Sequence, residues 1–228
     1  MTTQVGTGAT TATTTAARTA RAALFDDAVR TEEHLRGIVG EASDLIMSKH
    51  TTHLTPLLRR YLTTSTFFLL ATADADGTCD VTPRGDAVNT VQIIDDRTIV
   101  VPDRLGNRRV DAFRNILTNP HVGLLFVVAG IEETVRVNGR ATITANSAVL
   151  DAMTIEGKRP RLGIVVEIDE AYVHCARSFL RAGLWDTATW PDPASVPTLR
   201  AMMSEQKDFP APRPEEDTRS EPYRNELY

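Results

Sequence analysis

The chain of 228 residues lacks the features that mark several common classes of protein. It has two cysteines, Cys79 and Cys175, and neither lies in a CxxC or other zinc-type spacing, so no metal site of that kind is predicted. No apolar run is long enough to span a membrane, and the first residues lack the apolar core of a secretory signal. We therefore expect a cytoplasmic protein that has no membrane partner.

Two common nucleotide-binding signatures are also missing. No GxGxxG follows a predicted strand and no GxxxxGK[ST] occurs, so neither a dinucleotide-binding fold nor a P-loop is supported. The formal net charge of −5 argues against nucleic acid as a general partner. Local basic clusters are compatible with that charge, because only the total is negative.

Composition and periodicity divide the chain into four parts. Residues 1–18 are mostly Thr, Ala and Gly, which predicts a disordered tail. Residues 19–62 carry short helical patterns, including Ala20–Val29, and are expected to cover the rest of the molecule or a partner subunit. Residues 63–185 carry strand patterns, and residues 186–228 form a tail rich in proline and charge.

The third part reads as short strands joined by tight turns. Phe67–Thr72 is a continuous apolar run, and Asp74–Gly77 after it is typical of a hairpin. Asn138-Gly139 interrupts an alternating segment and predicts a bulge. Leu162–Ile168 and Tyr172–Cys175 are expected to be two paired strands. Together with one helical crossover, these patterns predict an antiparallel barrel with peripheral helices, a mainly β fold of the α+β type.

The crossover itself is the most informative stretch of the chain. In PDRLGNRRVDAFRNILTNP, the residues before Pro102 predict the end of a strand, and Leu105-Gly106-Asn107 predicts a loop. Helical spacing then predicts a helix over Arg108–Leu117, which stops at Asn119-Pro120. The loop and the first turn of this helix therefore carry three arginines, at positions 104, 108 and 109.

Cations at this end of a helix oppose its dipole, at a cost of roughly 0.3–1 kcal/mol each. A bound anion reverses that sign, since helix N-terminal amides and guanidinium groups both suit phosphate. Two interpretations stay open at this point. Arg108 and Arg109 form a phosphate-binding loop, or the arginines pair with Asp103 and Asp111 on a solvated face.

The order and spacing of these motifs resemble those of the pyridoxamine 5′-phosphate oxidase-like family of FMN-binding split barrels. Leu105–Arg109 is similar to the Leu-Gly-Ser-Arg-Lys loop with which that family grips the FMN phosphate. TPRGD at Thr82–Asp86, and His174–Arg177 followed by Leu184-Trp185, resemble a bacterial branch thought to be FMN-dependent enzymes. The resemblance covers residues 67–141 and extends more weakly through Trp185. It implies an antiparallel split β-barrel.

The resemblance also implies a set of FMN-binding residues. Arg108 and Arg109 would bind the phosphate, with Asn107 as an added amide donor. Arg104 would either assist them or pair with Asp103 or a partner subunit. Arg84 would bind the phosphate or the pyrimidine edge, or would instead form an ion pair with Asp86. The backbone of Val81 and Thr82 would bind the flavin ring. Thr134 stands where the family has a Gln that contacts the ring.

The chain departs from the vitamin B6 enzymes at several positions. Asn107 replaces the loop Ser, Arg109 replaces the Lys, and the C-terminal substrate signature is not clearly present. FMN binding therefore carries over better than the pyridoxamine-phosphate substrate does. His174 and Trp185 are candidates for a substrate pocket, with a place in the core as the alternative for each.

These features predict an FMN-dependent oxidoreductase that transfers hydride between the flavin and a small molecule. The sequence identifies no catalytic side chain, because no nucleophile elbow or oxyanion loop accompanies His174 or Cys175. The resemblance implies a homodimer with the flavin between its subunits. A non-catalytic flavin- or haem-binding barrel, with His174 as the candidate haem ligand, and a deazaflavin-dependent reductase are the alternatives.

Overall fold

The computed structural model describes residues 21, 24–87, 90–207, 210 and 227. The tail predicted for residues 1–18 lies outside these, as does most of the predicted tail beyond 207. The chain divides into two compact units, Met1–Ser48 and Lys49–Tyr228. Within the described residues, no helix is both long and apolar enough to cross a membrane.

The described part of the first unit includes the short helices α1 (Glu32–Val39) and α2 (Asp44–Met47). The Thr31 hydroxyl accepts a hydrogen bond from the His34 amide at 3.2 Å, so it caps α1 as its position before two glutamates suggests. Of the helix predicted for Ala20–Val29, Arg21 is helical, but the prediction is wrong from residue 24 on, where residues 24–27 form turns.

The second unit is built on one seven-stranded antiparallel sheet with strand order β2-β1-β5-β6-β7-β4-β3. The two edge strands are not paired with each other in the part of the chain that is described, so the barrel is split, as expected. The strands are β1 (Phe67–Ala73), β2 (Cys79–Gly85), β3 (Gln92–Ile93), β4 (Thr98–Pro102), β5 (His121–Val127), β6 (Thr134–Thr144) and β7 (Gly163–His174).

Short helices accompany this sheet and make the fold α+β. They are α3 (Pro56–Thr64), α4 (Asp111–Thr118), α5 (Ser147–Asp151), α6 (Arg177–Ala182) and α7 (Leu199–Lys207), with 3-10 turns at Thr187–Thr189 and Pro193–Ser195. The two strands predicted for Leu162–Ile168 and Tyr172–Cys175 are in fact one strand, β7. The strand continues because β6 pairs with it along its whole length, from Thr134 opposite His174 to Thr144 opposite Gly163.

Strand alternation separates a core face from an outer face. On β1, Phe68 and Leu70 are buried, and the Phe68 ring stacks on Phe126 of β5 with 4.8 Å between centroids. The core is closed by α3, through Leu58 and Leu62, and by the apolar side of α4. Phe67 points to the outer face, where 40% of it is exposed.

The bulge predicted at Asn138-Gly139 is confirmed, because the β6–β7 register shifts between these two residues. A Cβ atom at Gly139 would lie 2.1 Å from the carbonyl oxygen of Glu167. The backbones of β6 and β7 therefore approach so closely that only glycine fits at this position.

Candidate functional site

A cavity of about 900 Å³ lies where the ends of β2 and β4 and the loop before α4 meet the loop before β7. Cavities that hold small ligands measure roughly 300–1,000 Å³, so this one is large enough for a cofactor. The two motifs that the sequence singled out form much of its wall. The lining residues are Thr82–Asp86, Thr90, Val101–Phe113 and Lys158–Leu162.

The loop on this wall differs from its prediction in one respect. The helix begins at Asp111, not at Arg108, so both arginines lie just before it. Arg108 (φ 60°) and Val110 (φ 54°) adopt the left-handed conformation, which is rare for residues other than glycine and keeps the helix from starting before Asp111. The Asn107 side-chain oxygen accepts a hydrogen bond from the Arg109 amide at 2.9 Å and fixes the turn.

Arg84 and Arg104 each form an ion pair with an aspartate, but with a different one from that considered in the sequence analysis. Arg84 Nη1 lies 3.6 Å from Asp103 Oδ1, and not beside Asp86. Arg104 Nε lies 2.6 Å from Asp86 Oδ2, and its Nη1 donates to the carbonyl of Met153 at 2.8 Å. Burial raises the pKa of Asp103, and the facing Arg84 offsets part of this rise.

The two arginines of the predicted phosphate site differ from each other. Arg109 donates through Nε to the carboxylate of Asp111, which raises the pKa of Arg109. The interpretation as an ion pair is therefore correct for Arg109. Arg108 makes no hydrogen bond or ion pair with any residue that the structure describes, and it is exposed at the cavity wall.

Two buried polar atoms on this wall have no hydrogen-bond partner among the described residues: Thr82 Oγ1 and Arg84 Nε. Nearly all buried polar atoms in proteins are hydrogen-bonded, so such atoms mark a place for a ligand or water. Together with Arg108, they give the wall both a charged donor and polar groups for a ligand. This donor set suits a phosphate ester, and it fits FMN.

The loop before β7 adds a second basic segment to the cavity lining. Lys158, Arg159 and Arg161 all line the cavity. Arg159 Nη1 lies 3.3 Å from Asp151 Oδ1, in an exposed pair. Because this loop lies about 50 residues after Leu105–Arg109 in the sequence, no local pattern predicts that the two would meet.

The remaining candidate residues lie away from the cavity wall. The side chain of Val81 is 61% exposed on the outer face, next to Thr82 in the chain. Thr134 is 3% exposed and pairs in register with His174. Trp185 donates through Nε1 to the carbonyl of Ile131 at 2.9 Å. In one chain Val81, Thr134 and Trp185 do not line the cavity, and neither does His174.

His174 lies instead in a cluster on the outer side of β6 and β7. Its ring is 5.0 Å from that of Tyr172, which Arg136 covers at 4.5 Å and Lys49 at 5.1 Å. Burial, Arg136 and Lys49, in that order, lower the pKa of His174. Over the residues described, no group of three or more His, Cys, Asp or Glu side chains is arranged to hold a metal ion.

Comparison with known families agrees with this architecture. The family model for pyridoxamine 5′-phosphate oxidase matches residues 54–175, just over half of the chain. The chain therefore belongs to the pyridoxamine 5′-phosphate oxidase family, whose members form the split barrel seen here. The matched region includes the TPRGD strand, the arginine loop (Leu105–Arg109) and all of β7, and it ends at Cys175.

Several solved structures are similar to this chain at low identity. HupZ of Group A Streptococcus is 19% identical, with a TM-score of 0.42 over 51% of this chain and 90% of that one. A proposed pyridoxamine 5′-phosphate oxidase of Lactobacillus delbrueckii is 23% identical, with a TM-score of 0.44 over 54% and 95%. An FMN-binding protein of Syntrophomonas wolfei is 13% identical, with a TM-score of 0.39 over 50% and 80%. No curated protein matches the chain.

Proposed function

We propose that this protein is an FMN-dependent oxidoreductase, in which the cavity holds the FMN phosphate against the arginine loop. The observation that carries the proposal is that several polar groups of the cavity wall have no partner among the described residues. Arg108 has no partner among the described residues, and Thr82 Oγ1 and Arg84 Nε are buried without one. Membership of the family supports the choice of a flavin phosphate over other phosphate esters.

Each residue of the wall has a separate part in this proposal. Arg108 and Arg109 bind the phosphate through guanidinium N–H groups, and the Asn107 amide adds a neutral donor. Arg84 Nε and the Thr82 hydroxyl bond the polar part of the cofactor nearest β2, and Arg104 holds Asp86 in place beside them. When bound, FMN supplies the hydride-transfer chemistry, so no side chain has to act as a nucleophile.

We further propose that the protein is a homodimer whose outer sheet faces meet. This face carries apolar side chains at neighbouring positions of β2, β1 and β5, including Val81, Phe67, Leu69, Leu125 and Val127, and two of them are well exposed. A dimer formed in this way would bring the cluster around His174 next to the second subunit. His174 and Trp185 would then contribute to the substrate pocket.

Two exposed free thiols, Cys79 and Cys175, are compatible with a reducing compartment, and we propose a cytoplasmic location.

The experiment that tests the cofactor assignment compares FMN with riboflavin, which lacks the phosphate. In the double variant Arg108→Ala/Arg109→Ala we expect FMN affinity to fall at least about 100-fold, since each charge-assisted hydrogen-bond donor contributes roughly 1.5–3 kcal/mol. Riboflavin affinity is expected to stay the same. Quenching of flavin fluorescence measures both values.

A matched control removes two exposed arginines outside the cavity, Arg60→Ala/Arg97→Ala, and is expected to leave FMN affinity unchanged. Equal FMN affinity in the cavity variant and the wild type would disprove the phosphate assignment. Failure of the wild type to prefer FMN over riboflavin would disprove the proposed function as a whole.

One feature favours a second candidate, a deazaflavin-dependent reductase. Lys158, Arg159 and Arg161 add positive charge to the lining of the same cavity, which suits a cofactor with more acidic groups than one phosphate. Mass spectrometry of the chromophore released from the purified protein separates FMN from deazaflavin. His174, the candidate haem ligand, does not line the cavity, and the same measurement would detect haem.

A further inference from the structure

Arg109 differs from Arg108 in being tied to a carboxylate on the neighbouring helix. We propose that Asp111 is a positioning residue of the phosphate site: it holds Arg109 through Nε and leaves the terminal amino groups of the guanidinium for the ligand. This inference rests on the proposed function and adds a residue that the arginine-loop resemblance does not include.

The geometry of the pair leaves most of the guanidinium available. A guanidinium has five N–H donors, and Asp111 engages the one on Nε. The N–H groups on Nη1 and Nη2 have no partner among the residues described here, and 75% of the Arg109 side chain is exposed. Both residues line the cavity, so the open edge of the guanidinium is accessible to a ligand there.

Asp111 is a fixed anchor, whereas Arg109 alone would be mobile. Asp111 is the first residue of α4, and its side chain is only 22% exposed. The neighbouring residues Ala112 and Phe113 are buried in the core, so the start of the helix cannot shift freely. A long exposed arginine loses considerable rotamer freedom when it binds, and an ion pair that orders it beforehand lowers that loss.

The backbone beneath Arg109 is fixed as well. Its amide donates to the Asn107 side chain at 2.9 Å, and the residue after it, Val110, has a left-handed conformation. Arg109 is thus held at its amide and at Nε. The part of the side chain that stays unbound is the pair of terminal amino groups, which is the part that binds a phosphate with two parallel hydrogen bonds.

Asp111 could also have the opposite effect on the binding of the phosphate. A carboxylate near the phosphate would repel it, and Asp111 would then weaken the binding of FMN. A third role is purely structural, since an acidic first residue stabilises the helix through its dipole. The three roles predict different changes in the ratio of FMN affinity to riboflavin affinity, because only the phosphate distinguishes the two ligands.

The test is the variant Asp111→Ala, with FMN and riboflavin affinities measured by fluorescence quenching. We expect the preference for FMN to fall roughly three- to tenfold, which is the effect of leaving one rotamer-rich side chain unordered. In Asp111→Asn, whose amide oxygen can still accept the Nε hydrogen bond, we expect part of the preference to return. The midpoint of thermal unfolding is recorded for each variant.

A matched control is Asp44→Ala, which removes the acidic first residue of α2 and is expected to leave the FMN preference unchanged. A preference for FMN that rises in Asp111→Ala would show repulsion and overturn the inference. A preference that stays constant while the unfolding midpoint falls would show a structural role only, and would also overturn it. A wild type without any FMN preference would refute the proposed function instead.

Discussion

The arginines of the cavity wall differ in whether they form an ion pair with an aspartate. Arg84, Arg104 and Arg109 each face an aspartate, whereas Arg108 has no such partner among the described residues. Arg108 is therefore the residue whose charge a ligand would neutralise most directly.

Sequence reasoning found this set of residues but only one of its pairings, that of Arg109 with Asp111. Leu105–Arg109 could be identified because its loop signal and basic pair are adjacent in the chain. The partners of Arg84 and Arg104 could not be identified. The nearest aspartate in sequence is Asp86 for Arg84 and Asp103 for Arg104, but in the structure Arg84 pairs with Asp103 and Arg104 with Asp86. That exchange depends on how β2 and β4 meet in space, which no local pattern records.

A pH dependence follows from the lowered pKa of His174. Its ordinary value is 6.5, and in the folded protein burial, Arg136 and Lys49 keep it lower. Below about pH 6.5 the unfolded chain therefore binds a proton at this position that the folded chain does not, and the free energy of unfolding falls as pH decreases toward the lowered pKa. In His174→Gln we expect a shallower loss of stability between pH 7.5 and pH 5, measured by urea unfolding.

The control for this prediction is the variant His34→Gln, at an exposed position on α1. Its free energy of unfolding should change with pH as that of the wild type does. Parallel curves for the wild type and His174→Gln would show that His174 does not titrate differently in the two states.

At the scale of elements, α4 depends on one buried amide for its position on the sheet. Asn115 is 7% exposed, and its Nδ2 donates to Thr72 Oγ1 at 3.0 Å and to Asp80 Oδ2 at 2.8 Å. These bonds join the helix to β1 and β2, the strands that lead toward the cavity. The arginine loop directly before α4 is thereby held against the end of β2.

We expect Asn115→Ala to lower the free energy of unfolding by about 1–3 kcal/mol, because it leaves the polar groups of Thr72 and Asp80 without their shared donor. Urea denaturation measures this change. The exposed residue Leu117 on the same helix is the control, and Leu117→Ala should stay within about 0.5 kcal/mol of the wild type. Similar losses in both variants would mean that the amide does not anchor the helix.

Local elements could be predicted where a local signal exists. The hairpin at Asp74–Gly77 and the bulge at Asn138-Gly139 are encoded by turn residues and by glycine, and both are present. The start of α4 could not be predicted, since the left-handed conformations of Arg108 and Val110 occur at residues that carry no such signal. The length of β7 depends on its pairing with β6, which is not local either.

At the scale of the whole molecule, the outer face of the sheet is where a second copy would bind. Val81 is 61% exposed and Phe67 40% exposed, in neighbouring strands, and apolar surface of this kind commonly marks an interface. The homodimer is a prediction from the family resemblance and from this face. The sequence alone could not locate the face, because β1 reads as a uniformly apolar run.

We expect Val81→Asp to weaken the dimer at least about tenfold, since it places a charge in an apolar interface. Size-exclusion chromatography with light scattering over a range of concentrations measures the change. Leu57→Asp on α3, which is 77% exposed outside this face, is the control and should leave the mass unchanged. A monomeric wild type would contradict the predicted interface, as would a Val81→Asp protein that remains fully dimeric.

The pairing of arginines with aspartates also affects how ionic strength acts on the cavity. Because Arg84, Arg104 and Arg109 each have a negative neighbour, much of their field is cancelled within a few ångströms and little of it extends into solvent. Dissolved salt screens mainly the long-range part of an electrostatic attraction. Retention of a phosphate ester here would therefore tolerate salt better than the number of guanidinium groups suggests, with close hydrogen bonds supplying most of the affinity.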